Sequence, residues 1–135
     1  MQNRPLRYLF LVLALAWAAV IFYLSSQPGT DKPMLFPLQD KLLHAIVFGI
    51  LGFLGMGALE AAANGYHRWQ VWLIAGLVTL YGILDEFHQR FVPGRTADVF
   101  DVMADVAGGL LGIWVMYSLV KVFCRNCNTG PTTQQ

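Results

Sequence analysis

Residues 6–24 read LRYLFLVLALAWAAVIFYL, and Arg7 is the only charged side chain among them. At about 1.5 Å per residue, a helix of that length nearly matches a hydrocarbon core of roughly 30 Å. Arg4 and Arg7 stand at its start, and Ser25-Ser26-Gln27-Pro28-Gly29 closes it. A cleaved signal sequence has a shorter apolar run, about 7 to 15 residues, and a small-x-small site after it. Neither feature is found around Tyr23, so the segment reads as a retained transmembrane helix.

Working outward, the whole chain has the same character. Of its 135 residues, 56% are hydrophobic and 13% are charged, and the mean hydropathy is +0.52. A water-soluble body this small needs far more charge on its surface. The net charge of +1 excludes the broad positive field that gathers nucleic acid. The expected surroundings are membrane lipid. Cys124 and Cys127 form a lone C-x-x-C pair. A structural zinc site needs four ligands, and no second pair exists, so they read as juxtamembrane thiols open to palmitoylation. No cofactor and no resident metal are expected.

Three further apolar runs complete an all-α integral membrane protein, a small bundle of about four transmembrane helices. The helices are predicted near 6–24, 40–63, 69–89 and 98–121, within one domain spanning 1–123. Pro28, Pro33 and Pro37 make a loop or re-entrant segment between the first two helices. Asp40 can cap the second helix, where Gly49, Gly52 and Gly55 form a small-residue edge suited to close packing in lipid. A polar turn at 64–68 leads to the third helix. Beyond it, Arg90 to Thr96 make a connection tightened by Pro93-Gly94. The polar stretch 124–135 is expected to be disordered.

Four spans place the start of helix two, the end of helix three and the start of helix four on one side. That side gathers Asp40, Lys41, His44, Asp85, Glu86, His88, Gln89, Arg90, Arg95, Asp98, Asp101 and Asp105. Counting Asp31, it holds seven of the eight acidic residues in the chain. Arg4, Arg7, Arg68, Lys121 and Arg125 fall on the opposite side, which the positive-inside rule assigns to the cytoplasm together with both termini. Helix four sharpens the asymmetry. Its uncharged stretch, Val106 to Val120, covers about 22 Å at helical rise, so either the bilayer thins there or Asp105, with Asp101 behind it, dips below the interface. Asp98, Asp101 and Asp105 share one stripe, which Gly109 and Gly112 continue.

The residue types leave several chemistries open. Carboxylates and imidazoles suit a divalent metal, although the spacing matches no H-E-x-x-H or paired C-x-x-C pattern. They also suit a general acid and base. Arg90 and Arg95 could form ion pairs with Asp85, Glu86 or Asp98 that lock the turn. Lys41, Arg90, Arg95 and two helix N-termini could instead receive a phosphate head group, with His44, Glu86 and Asp101 orienting or neutralising it.

Asp40-Lys41-x-x-His44, the run Asp85-Glu86-Phe87-His88-Gln89-Arg90-Phe91-Val92-Pro93-Gly94-Arg95-Thr96, and then Asp101, Asp105 and Gly108-Gly109 resemble the VanZ-like family of bacterial membrane proteins. The likeness covers residues 6–121 in layout. Family members often carry Asn where this chain has Asp105. The resemblance implies a multi-pass protein of the bacterial inner (cytoplasmic) membrane. It also implies a link to low-level resistance to the glycopeptide teicoplanin, which acts on lipid-linked peptidoglycan precursors outside that membrane. It carries over Asp40, Lys41, His44, Asp85, Glu86, Gln89, Pro93, Arg95, Asp101 and Asp105 as its marked positions. The leading expectation is an outward cleft that binds an anionic envelope lipid or lipid-linked precursor. Two alternatives are a membrane-embedded hydrolase or phosphotransfer enzyme using His44 and Glu86, and an assembly subunit whose polar cluster only stabilises the bundle.

Overall fold

The computed structural model describes residues 4–29, 36, 38–60 and 67–127, with the side chains of residues 4, 60 and 123–127 left undescribed. Four helices account for nearly all of it: α1 (Arg4–Ser25), α2 (Gln39–Glu60), α3 (Arg68–Gln89) and α4 (Val99–Cys127). Each contains a stretch long and apolar enough to cross a membrane. That pattern follows from the solvent: in hydrocarbon only a helix satisfies every backbone N–H and C=O within its own segment.

The expected boundaries shift in two places. Arg68 belongs to α3 and not to the turn before it. The α4 helix continues past Lys121 to Cys127, so residues 124–127 are helical where a polar tail was expected. Most of the proline-rich connection, residues 64–66 of the polar turn and residues 128–135 lie outside the described residues.

The α2 and α4 helices run parallel and make the most extensive helix pair. Glycine makes this possible. A Cβ on Gly108 would collide with the Ala45 carbonyl, one on Gly112 with the Gly49 carbonyl, and one on Gly52 with the Gly109 carbonyl. Backbone therefore lies directly on backbone, the arrangement small residues permit in lipid. Gly49 and Gly52 of the expected edge join this seam, whereas Gly55 turns to Ile74 of α3.

The outer helices close around this pair. The α1 helix is tied to α2 by Trp17 Nε1, which donates to the Val47 carbonyl (2.9 Å), and to α3 by the Tyr81 hydroxyl, which donates to Ala18 (2.7 Å). Ile21, Phe48, Met56, Ile74, Val78, Ile113 and Met116 form the apolar core. Large apolar side chains such as Leu15, Trp72, Leu80 and Trp114 point outward, as expected where the surrounding medium is acyl chain.

At the polar end, the connection from α3 to α4 is anchored to α1. Arg95 N donates to the Val92 carbonyl (3.1 Å) across Pro93-Gly94, and Gly94 has φ +76°. Proline second and a positive-φ glycine third is the type II turn pattern. Gly29 N donates to the Pro93 carbonyl (3.0 Å), and a Cβ on Gly29 would overlap Gly94. The turn thus rests on the end of α1.

Candidate functional site

The polar side chains at this end form layers that descend between α2, α3 and α4. In the outermost layer Lys41 Nζ lies 2.7 Å from both Asp98 Oδ2 and Asp101 Oδ1. One ammonium thereby bridges α2 to the first turn of α4. Asp98 also caps α4, its Oδ1 accepting from Phe100 N (2.9 Å). Glu86 reaches across from α3, and its Oε2 accepts from Asp98 N (2.9 Å).

Below this, His44 Nδ1 donates to Asp105 Oδ1 (2.9 Å). Asp105 is 0% exposed, enclosed by its neighbours on α2, α3 and α4. Space for it comes from α3, where Gly82 presents no side chain: a Cβ there would stand 2.9 Å from Asp105 Oδ2. On the same face Asp85 and Gln89, both buried, are joined by Gln89 Nε2 donating to Asp85 Oδ2 (3.0 Å). Glu86 Oε1 and Asp105 Oδ2 are buried and have no hydrogen-bond partner among the described residues.

Asp40, Lys41, His44, Glu86, Asp98, Asp101 and Asp105 therefore converge as expected, with Asp85 and Gln89 beside them. Three other sequence expectations are corrected. His88 faces α1: its ring stacks on Phe22 at 4.8 Å, and its Nε2 donates to Ser26 Oγ (3.0 Å). The side chain belongs to the α1 contact because its position on α3 is rotated away from the α2–α4 pair.

Arg95 likewise turns to α1, where Nη2 donates to the Leu24 carbonyl (3.1 Å) and Nε to the Gln27 carbonyl (3.3 Å). Leu24 lies in the last turn of α1, where carbonyls lack the usual i+4 partner, and Gln27 lies just beyond it. Arg95 thus caps α1, and it makes no ion pair with a described residue. The third correction concerns the α4 N-terminus. Its first donors are already taken by the carboxylates of Asp98 and Glu86, so the anion expected there has been supplied by the protein itself.

Arg90 differs from the other cations of this end. It is exposed and makes no hydrogen bond or ion pair to a described residue. It rims a groove of about 250 Å³ between α3 and α4, lined also by Ile83, Phe87, Val99 and Val102, with Glu86 and Asp98 at its polar edge. The sequence reading missed Ser26, Gln27 and Gly29 as partners of this end. The signal was the closeness of Ser25-Ser26-Gln27 to a helix terminus, where hydroxyls and amides compete for free carbonyls.

The Lys41 bridge holds the Asp98 carboxyl below its ordinary value of 3.8, assisted by the Phe100 N–H. A carboxylate whose pKa falls on folding contributes stability that is present above 3.8 and lost as pH drops through the lower folded value. Asp98→Asn is expected to lower the thermal midpoint at pH 7, and the difference from wild type should shrink as the pH is taken below 3.8. Midpoints in detergent at the two pH values check this, and a constant difference would remove the bridge from the account.

Four apolar helices with a carboxylate–imidazole cluster buried at one end define a multi-pass membrane protein. The family model described as VanZ/LLP1 matches residues 10–121, and the chain belongs to that family. The match runs from within α1 to the Lys121 region of α4, so every residue of the cluster lies inside it. No curated protein and no solved structure matches the chain significantly.

Proposed function

We propose that this VanZ/LLP1 protein resides in the bacterial inner membrane and binds an anionic envelope lipid, or a lipid-linked precursor, in the groove between α3 and α4. The observation that carries this reading is Arg90, an exposed guanidinium free of described partners at the rim of an apolar groove. Arginine takes phosphate bidentately, and the apolar wall suits an acyl or isoprenoid chain. Lys41 and Arg95, once counted with Arg90, are already engaged and serve to hold the site in shape.

Their engagement also supports the orientation. With Lys41 and Arg95 committed to the cluster, Lys32 and Arg90 remain against Arg4, Arg7, Arg68, Lys121 and Arg125. Both termini are then cytoplasmic, and the cluster opens outward, where teicoplanin-type glycopeptides meet their lipid-linked targets.

Native mass spectrometry of lipids retained by the detergent-purified protein tests the reading. A charge-assisted contact of about 2 kcal/mol corresponds to roughly thirtyfold in affinity, so Arg90→Ala should lose most of the anionic-lipid enrichment while keeping its helicity. Expression of the wild-type protein should lower teicoplanin susceptibility, and the variant should not. Equal enrichment in both proteins would leave the assembly-subunit reading in its place. Lipid turnover that stops in His44→Gln would favour the enzyme, since the His44–Asp105 pair leaves the second ring nitrogen of His44 free to accept a proton.

A further inference from the structure

Around Lys41 and His44 stand five carboxylates: Asp40, Glu86, Asp98, Asp101 and Asp105. Lys41 offsets one of them, and a protonated His44 would offset one more. Each remaining negative charge is costly this close to hydrocarbon. Glu86, Asp101 and Asp105 are buried, and a bound cation is one of the ways such charges are compensated.

The geometry names the ligands. One donor atom each from Asp40, His44 and Asp101 lies within 4.8 Å of the others, so a single ion can touch all three. Asp40 makes no hydrogen bond or ion pair to a described residue. Asp101 uses Oδ1 for Lys41 and keeps Oδ2. His44 gives its Nδ1 proton to Asp105, which leaves Nε2 as a lone-pair donor. A carboxylate behind an imidazole is the arrangement that orients histidines at metal sites. Glu86 supplies an independent sign. It is 5% exposed and reaches from α3 to the start of α4, where its Oε2 accepts from Asp98 N and its Oε1 has no partner among the described residues.

We propose that Asp40, His44 and Asp101 hold one divalent metal cation at the mouth of the α2–α4 pair, with Asp105 orienting the imidazole and Glu86 facing the ion or its water. One nitrogen and two carboxylate ligands with open positions suit Mn²⁺ or Zn²⁺. The three ligands lie outside the α3–α4 groove, whose polar edge Glu86 shares, and the proposal stands independently of the lipid reading, because its test contains no lipid.

The test is a Mn²⁺ titration of chelator-stripped, tag-free protein in detergent, following the loss of the free-ion electron paramagnetic resonance signal. Mn²⁺ is chosen because thiolates compete for it poorly, which sets Cys124 and Cys127 aside. The expected result is one Mn²⁺ per chain, displaced by Zn²⁺. Asp40→Asn, which breaks no bond to a described residue, should weaken binding by about tenfold or more with an unchanged thermal midpoint. Asp105→Asn should weaken it by about 10- to 100-fold through the imidazole. A Cys124→Ser/Cys127→Ser variant should titrate like wild type. Less than one ion per folded wild-type chain overturns the proposal. So does an unchanged affinity in both Asp40→Asn and Asp101→Asn, or loss of the ion in the cysteine variant.

Discussion

Gly108→Ala is expected to destabilise the protein by about 3 kcal/mol, the upper end of what overpacking costs. The added methyl group meets the Ala45 carbonyl of α2, which is helix backbone and cannot rotate away as a side chain would. Relief requires α2 and α4 to separate along their whole seam. Separation would also pull Lys41 from Asp98 and Asp101, and His44 from Asp105. Thermal unfolding in detergent, followed by helical circular dichroism, measures the loss. Gly76→Ala is the control. Nothing lies within 4 Å of a Cβ at Gly76, so that change should stay within about 0.5 kcal/mol. Equal midpoints for the two variants would mean that the close α2–α4 approach does not hold the bundle together.

The second large effect is expected at Asp105. Breaking a buried, hydrogen-bonded charge pair by removing one partner costs about 3–5 kcal/mol, because the other group is left unsatisfied. Asp105→Ala strands His44 Nδ1, whose side chain is only 11% exposed, and opens a space beside Gly82. Asp105→Asn keeps an oxygen where Oδ1 accepts the His44 proton, so its cost should be nearer 1 kcal/mol, the worth of an ordinary hydrogen bond. Midpoints measured with chelator present separate this structural role from metal binding. Wild-type stability in Asp105→Ala would show that the pair contributes nothing to the fold.

The two effects differ in how visible they were in the sequence. The Asp98, Asp101 and Asp105 stripe could be read from helical spacing. Gly49 and Gly52 could be recognised as packing residues and Gly109 and Gly112 as a continuation of the aspartate stripe, but not as packing on one another. A small residue signals close approach without naming what approaches. His88 and Arg95 show the same limit from the polar side. They lie in the same short run as Glu86, yet both turn to α1: His88 because a rotation of about 100° per residue around α3 separates it from Glu86, and Arg95 because the turn that carries it rests on the end of α1.

The sequence by itself determined the number of spans, the one-sided placement of the acidic residues and most of the cluster, though not that His88 and Arg95 leave it for α1. Lipid permits only helices of a certain apolar length, and alternation of direction then sorts every turn to one side or the other. Tertiary structure alone decided the partners: Lys41 with Asp98 and Asp101, His44 with Asp105, Arg95 with the end of α1, and Arg90 left free at the groove. Those choices turn on separations of a few ångströms between helices that are distant in the chain. Helical rotation and the glycine seam set such distances, and local spacing does not encode them.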